Sequence, residues 1–361
     1  MGILAKIKQA QKKKRFGAWQ IEVTTRCNLQ CTMCIKAACS DWHRKDMSVS
    51  DFEKILPDLQ NVRSVILEGW GESLLHRSLV DFIRLAKSAG PEVGFVTSGM
   101  GLSANYARQI VDAGVDFMGF SLSGATAETH NAIRVNSDFN TLIASIKAVK
   151  RLNMKNPSHK PRVHIVYLML KDNVNEIPML LDLAHEIGIS EIVLLNIIQV
   201  TSRLQDTQKT FTCEEGSLHK NIMKAAEDKA KKFKISLSMP AISPQDVAVC
   251  SENPLDNLYI SVDGEISPCV YLCPPVSSPF TRMYCGAEYS THHVSFGNIF
   301  NESFAQVWGR MEYQEFRYAF ISRQMRWKEA YASLLEMRLP EDSPVADPPP
   351  PCRTCHKMLG F

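Results

Sequence analysis

At 361 residues the chain exceeds the usual single-domain size and should carry one large core plus a smaller domain. A formal net charge of +3, with 22% charged and 45% hydrophobic residues, is ordinary for a soluble globular protein and too balanced to point to nucleic acid. No apolar run is long enough to span a membrane and no signal-peptide pattern is present, so a cytoplasmic protein is expected, in which eleven cysteines argue for metal ligands over disulfides.

Residues 1–18 form a basic extension in which Lys6, Lys8, Lys12, Lys13, Lys14 and Arg15 surround Ile3, Leu4 and Ile7. A solvated extension is the expected state, ahead of an amphipathic helix on an acidic partner or a membrane surface. From residue 19 to residue 200, β-branched runs alternate with amphipathic segments. The spacing predicts strands over Gln20–Thr25, Ser64–Glu68, Glu92–Thr97, Phe117–Leu122, Arg162–Leu170 and Glu191–Ile198. Helices are expected at Ser48–Leu59, Arg77–Ala89, Ala104–Ala113, Ala127–Arg134, Asn140–Leu152 and Ile177–Ile187, three of them ending at a glycine. Strands separated by helices of this length give right-handed βαβ units and a parallel sheet buried on both faces. Six such repeats make an α/β fold of the partial (β/α)6, TIM-like barrel kind, with its site at the C-terminal ends of the strands.

A further helix is expected over Glu214–Phe233 and a strand over Lys234–Met239, after which Pro240 marks the end of a first domain, 19–240. Residues 241–361 then turn to a small cysteine-rich α+β pattern. Leu258–Val262, Asp263-Gly264 and Glu265–Cys269 read as a hairpin, because Asp-Gly between β-branched runs supplies the turn. Helices are expected over 302–321 and 324–337, and a proline-rich connector from Glu341 to Pro351 delivers Cys352-Arg-Thr-Cys355.

Cys27, Cys31 and Cys34 follow the first strand directly. Three thiolates in one loop hold three irons of a 4Fe–4S cluster and leave the fourth iron open, whereas electron-transfer clusters take four cysteines. A zinc knuckle with Cys39 or His43 as the fourth ligand is the alternative. Cys250, Cys269, Cys352 and Cys355 form a second set, fit for a fully ligated cluster or for a four-cysteine zinc ribbon. Cys273 and Cys285 are left over in that region, as candidates to replace a ligand, donate a hydrogen atom or help hold a further cluster. Cys39 and Cys213 read as inert small residues, and His292 and His293 as a surface pair.

The cysteine run, with gaps of three and then two residues, resembles the signature of the radical SAM superfamily, in which S-adenosylmethionine (SAM) chelates the open iron. In that family the second strand ends in a Gly-Gly-Glu-type motif that holds the SAM amino group. Leu67-Glu-Gly-Trp-Gly-Glu-Ser73 stands here, so Gly71 and Glu72 match while Trp70 replaces the first glycine. The resemblance implies that Gly71 lets backbone approach the methionine moiety and that Glu72 accepts from its ammonium. It further implies contacts to ribose or carboxylate from Ser98, Ser121 and Ser123, although many relatives carry aspartate at the Ser123 position. Arg134 matches an arginine that pairs the SAM carboxylate, and Met33 the bulky apolar position near adenine. Asn173 and Asn196 are expected to help line the cavity.

Cysteine, thirteen residues, Gly264, four residues, cysteine resembles the opening of the SPASM extension of radical SAM proteins. With a late pair of cysteines two residues apart and six residues after it, the set is similar to the shorter twitch version, which holds one auxiliary 4Fe–4S cluster. The resemblance implies an electron donor such as flavodoxin or ferredoxin, and reductive cleavage of SAM to a 5′-deoxyadenosyl radical. That radical abstracts hydrogen from a substrate while the auxiliary cluster transfers an electron. Peptide, protein or cofactor maturation is the expected task, and the eighteen residues before the first strand are too few for a winged-helix leader-peptide module. Oxidation of a small alcohol is an alternative. So is maturation of a tungsten-containing oxidoreductase, whose accessory radical SAM proteins the Cys352-Arg-Thr-Cys-His-Lys357 tail resembles. An iron–sulfur electron carrier and a zinc-ribbon interaction protein are the non-catalytic readings, and neither needs a βα barrel with Glu72 and Arg134 in place.

Overall fold

The computed structural model describes residues 16–155, 160–214, 219–335 and 346–361, so nearly all of the basic extension and the first half of the proline-rich connector lie outside the described residues. Six strands run parallel and in chain order: β1 Phe16–Ile21, β2 Val62–Ile66, β3 Glu92–Thr97, β4 Phe117–Leu122, β5 Arg162–Met169 and β6 Glu191–Asn196. Their register sets Val65 beside Val93, Phe95 beside Met118 and Phe120 beside Ile165, all fully buried. Helices cover this sheet at α1 Val49–Leu59, α2 Leu79–Ala89, α3 Ala104–Asp112, α4 Ala127–Ile133, α5 Phe139–Lys155 and α6 Ile177–Glu186.

Local chemistry explains the boundaries. Ser48, Ser103 and Thr126 accept from the backbone N–H groups of Asp51, Tyr106 and Thr129 and so start α1, α3 and α4. Gly90, at φ 96°, ends α2 in the left-handed conformation that a side chain would strain. Within α2, Leu79, Phe82, Ile83 and Ala86 recur at helical spacing and are buried against the sheet.

The sheet does not stop at the barrel. After α7 Arg203–Thr207 and α8 Lys220–Phe233, β7 Ser236–Ser238 extends it parallel to β6. On the opposite side β8 Leu258–Ile260 pairs parallel with β1, and β9 Ile266–Ser267 returns antiparallel to β8, as the Asp-Gly signal predicts. The cysteine-rich region therefore grows from the first barrel strand. An aromatic seam fixes the join: Phe304 packs on Trp19 at 4.6 Å and on Phe16 at 5.3 Å, with Trp308 at 5.0 Å from Phe16.

Three expectations need correction, and one hairpin is new. β1 opens at Phe16 and ends at Ile21, because Thr24 leaves the sheet to bridge Asp46. The two expected C-terminal helices are α9 Phe304–Trp308 and a single α10 Met311–Leu335, broken at Gly309 and not near 322. The sequence pattern does not show the hairpin of β10 Phe280–Tyr284 and β11 Ala287–Thr291, with Cys285 and Gly286 at its turn. Lastly, the expectation of no disulfide fails, since Cys213 and Cys285 are bonded.

Candidate active site

The chain between β1 and α1 is folded on itself before it reaches the cysteines. Thr24 Oγ1 donates to Asp46 Oδ1 at 2.6 Å, Arg26 pairs with Asp46 at 2.6 Å, and Trp42 Nε1 donates to the Thr25 carbonyl at 2.9 Å. Lys36 Nζ donates to the carbonyls of Cys27 and Leu29, and the Cys34 N–H to Cys31 at 3.1 Å, so the loop is curled around its three sulfurs. Cys27, Cys31 and Cys34 line one cavity of about 290 Å³ at the C-terminal ends of β2 to β6. Burial pushes the Cys34 thiol up to about 11 and raises that of Cys27, and the neighbouring thiols add to both shifts. Sulfurs in such a place become thiolates when a cation binds among them, which suits iron.

Met33, Gly71, Glu72, Ser98, Ser121 and Arg134 share that wall. Glu72 Oε1 accepts from Thr97 Oγ1 at 2.6 Å and from the Leu74 N–H, and Oε2 accepts from the Ser98 N–H at 2.8 Å. Oε2 keeps one acceptor position, which fits an ammonium. Ser98 thus acts on Glu72 through its backbone. Arg134 Nε donates to Ser123 Oγ at 2.9 Å, and its terminal nitrogens make no other hydrogen bond among the described residues. A guanidinium anchored at Nε and open at its fork fits a carboxylate.

Ser123 is fully buried behind Arg134 and lines no part of the cavity, which corrects its expected contact with SAM. It holds the arginine instead. Asn173 is also off the wall, since it caps the end of β5 by bonding Leu170, Leu168 and Ser123 backbone. Asn196 lies on the wall but is committed to the Ala241 carbonyl and to Thr210.

Gly71 has a reason of its own. A Cβ there would sit 2.2 Å from the Thr24 carbonyl oxygen and 2.8 Å from that of Arg26, so glycine lets the cluster loop close onto the end of β2. Gly71→Ala is expected to cost about 1–3 kcal/mol by overpacking. A thermal melt unchanged from wild type would contradict that close approach.

Trp70, the departure from the family motif, faces the second region. Its N–H donates to Glu22 Oε1 at 2.7 Å and its Nε1 to the Val270 carbonyl at 3.3 Å, with its ring 6.4 Å from Tyr271. Sequence reasoning missed Glu68, two residues earlier. Its carboxyl lines the cavity, makes no hydrogen bond or ion pair among the described residues, and is pushed up to about 7 by burial and by the charges of Glu72 and Glu252. The available signal was an acid ending the apolar run Val65-Ile-Leu67.

Cys250, Cys269, Cys352 and Cys355 converge on a narrow void of about 20 Å³. Burial pushes Cys250 up to about 12 and raises the other three, with mutual repulsion adding in Cys250, Cys269 and Cys352. The fully buried Arg282 clamps the set by donating to the Pro351 and Tyr271 carbonyls, each at 3.0 Å. No three of these four sulfurs lie within 4.8 Å of one another. Four thiols gathered on one void are the donor set of a fully ligated iron–sulfur cluster or of a zinc ion. Tyr271 lines both this void and the first cavity.

The remaining cysteine candidates fall elsewhere. Cys273 lines a separate cavity with Glu22, His43, Asp263 and His293, apart from both cysteine sets. Cys285, a candidate ligand or hydrogen donor, is bonded to Cys213 because the β10–β11 turn carries it to a Cα separation of 5.5 Å. His43 faces Asp263 at 3.5 Å, and Cys39 lines another pocket with Asp41, so neither completes a zinc knuckle.

The sequence profile of the Radical SAM superfamily matches residues 21–184, and that of the SPASM iron-sulfur cluster-binding domain matches residues 250–356. The chain is a radical SAM enzyme with a C-terminal SPASM domain. Among relatives, a tungsten-containing aldehyde ferredoxin oxidoreductase cofactor-modifying protein of Pyrococcus furiosus is 24% identical over 303 residues, covering 82% of each chain. A probable GTP 3′,8-cyclase of Metallosphaera sedula is 28% identical over 221 residues, covering 58% of this chain and 66% of its own. The fold is shared with Streptococcus suis SuiB bound to S-adenosylmethionine, at a TM-score of 0.61 and 15% identity over 87% of this chain and 70% of that one. It is shared too with anSMEcpe bound to AdoMet and a peptide, at a TM-score of 0.55 and 15% identity over 83% and 81% of the two chains. Iron–sulfur and SAM binding follow from both domains. No described helix of this radical SAM enzyme is long and apolar enough to cross a membrane.

Proposed function

We propose that this radical SAM enzyme is a maturase, acting on a protein-borne cofactor or on the polypeptide that carries it, with division into a barrel of residues 19–240 and an auxiliary domain of 241–361. The observation that carries the reading is Tyr271, which walls the SAM-side cavity and the four-cysteine void at once. A substrate in the cavity is thereby set between the two cysteine sets. The likeness to a cofactor-modifying protein, over 82% of each chain, supports maturation over oxidation of a small alcohol.

Two 4Fe–4S clusters are proposed, one at Cys27, Cys31 and Cys34 and one at Cys250, Cys269, Cys352 and Cys355, with a flavodoxin or ferredoxin as electron donor. When bound, the first cluster and SAM supply a 5′-deoxyadenosyl radical able to take hydrogen from an unactivated carbon. The residues do the positioning. Glu72 holds the ammonium, Arg134 on its Ser123 anchor holds the carboxylate, and Met33 covers the adenine side. Trp70 and Tyr271 wall the cavity on the side of the second cysteine set, and Glu68 offers the substrate an unpaired carboxyl.

Anaerobic reconstitution should load about eight irons per chain, from two clusters. Dithionite and SAM should then release 5′-deoxyadenosine. With extract of deuterium-grown host cells, the label should enter 5′-deoxyadenosine from the protein fraction. Label from free small molecules alone would favour the alcohol dehydrogenase reading, and zinc in place of iron would end both.

A further inference from the structure

We propose that Cys213, Cys285 and His356 form a redox-gated metal site distinct from both cysteine sets: a disulfide when oxidised and, when reduced, a site of two thiolates and one imidazole for a single zinc-like divalent cation. Both sulfurs and an imidazole nitrogen lie within 4.8 Å of one another, the two sulfurs because they are bonded. Once that bond opens, the three donors remain near enough to close on a single ion.

His356 supplies the second observation. It is 1% exposed, and neither ring nitrogen makes a hydrogen bond. The Ile198 backbone approaches the ring closely enough to favour its protonated form, but it completes no well-formed hydrogen bond to either nitrogen. A buried imidazole with neither nitrogen partnered is costly. A cation on one nitrogen, with the other turned to Ile198, satisfies both, as backbone carbonyls commonly do for metal-bound histidine. The ring is already fixed by Phe211 at 5.1 Å and Tyr284 at 5.2 Å.

Cys285 adds a third. It stands at φ 48° beside Gly286 at φ 79°, the two central positions of a tight hairpin turn. Asparagine, aspartate or glycine is the usual occupant there, since other side chains are strained at positive φ. The turn keeps a thiol despite that strain. Cys285 is exposed while His356 is buried, so an ion or a reductant would reach these three residues from the Cys285 side. Two thiolates and an imidazole select zinc over magnesium or calcium.

The gating step balances simply. A dithiol gives two electrons and two protons, the Cys213–Cys285 bond breaks, and the dithiol closes to its own disulfide. Metal binding then displaces the two protons from the protein sulfurs.

The test uses the cluster-loaded enzyme, air-protected, in its oxidised form and after treatment with dithiothreitol and desalting. Each form is titrated with zinc against a chromogenic chelator. The reduced wild type should hold about one zinc per chain with sulfur and nitrogen ligands at the zinc X-ray edge, and the oxidised wild type none. Cys213→Ser and Cys285→Ser should weaken binding by roughly 100-fold or more, and His356→Ala by about 10-fold or more, with iron content unchanged. No zinc in the reduced wild type, equal zinc in both redox forms, or full binding by Cys285→Ser would overturn the site. If a variant fails to load iron, the two redox forms of the wild type decide alone. Iron loading and SAM cleavage are read separately, so failure here leaves the maturase proposal standing.

Discussion

Replacement of Cys27, Cys31 and Cys34 by alanine together is expected to abolish 5′-deoxyadenosine release, a loss beyond about 10³-fold, and to halve the iron from about eight to about four per chain. The three sulfurs line the cavity that also holds Glu72 and Arg134, so no SAM-binding iron remains without them. The auxiliary set should survive, because its cysteines are gathered on the far side of Tyr271 and clamped separately by Arg282. Anaerobic iron and sulfide assay with chromatography of the nucleoside product checks both halves. A Cys250→Ala variant provides the contrast: it should lose the other half of the iron while still cleaving SAM. If the triple variant kept all its iron, or Cys250→Ala lost all of it, the two sets would not be the independent sites assigned here.

The parts of this architecture that are local in the chain were legible in it. β3 and β4 match their expected limits, since each is an apolar run flanked by a helix that ends at glycine or begins at a capping hydroxyl. The triad at Cys27, Cys31 and Cys34 is legible for the same reason, all three sulfurs lying in one loop. What depends on packing was not. Ser123 carries the same hydroxyl as Ser121, but one faces the cavity and the other is buried behind Arg134. The two expected C-terminal helices leave a gap at 322 and 323, but Arg323 is 3% exposed and α10 runs through it. Its guanidinium binds the carbonyls of Val247, Ala248 and Ala346 and the carboxylate of Asp246, so burial there is fully satisfied. The Cys213–Cys285 bond spans 72 residues and joins a loop to a hairpin that periodicity did not reveal. Gly71 shows the same limit from another side: its place in a motif was visible, but the reason for glycine was a backbone carbonyl far back in the chain, that of Thr24.

Glu68→Gln is expected to stabilise the enzyme above pH 7 and to leave it nearly unchanged near pH 4. An exposed glutamate ionises near 4.5, whereas burial and the nearby charges of Glu72 and Glu252 push Glu68 up to about 7. Between those values the unfolded chain has already lost the proton that the folded one still holds. The contribution of Glu68 to wild-type stability should therefore fall as pH rises from 4.5 to 7 and level off above, since the folded state must then bury a charge. A tenfold change in proton affinity is worth about 1.4 kcal/mol, and contact with cavity water reduces the total, so roughly 1–3 kcal/mol is at stake. Glutamine has nearly the same shape and no charge, and removes that slope. Glu22 is also pushed up to about 7 by burial, so a slope from it remains in both proteins and cancels in the difference. Thermal or urea melts of the cluster-loaded enzyme without SAM, at pH 4.5, 6 and 8, measure this difference. It should grow with pH and saturate above 7. Turnover is the opposing readout. The Glu68 carboxyl makes no hydrogen bond or ion pair within the described residues and faces the space a substrate would fill, so the more stable Glu68→Gln enzyme should be the slower one. A stability gain together with full activity would make Glu68 a bystander of the cavity, and a difference flat in pH would mean that its carboxyl is charged in the folded state throughout.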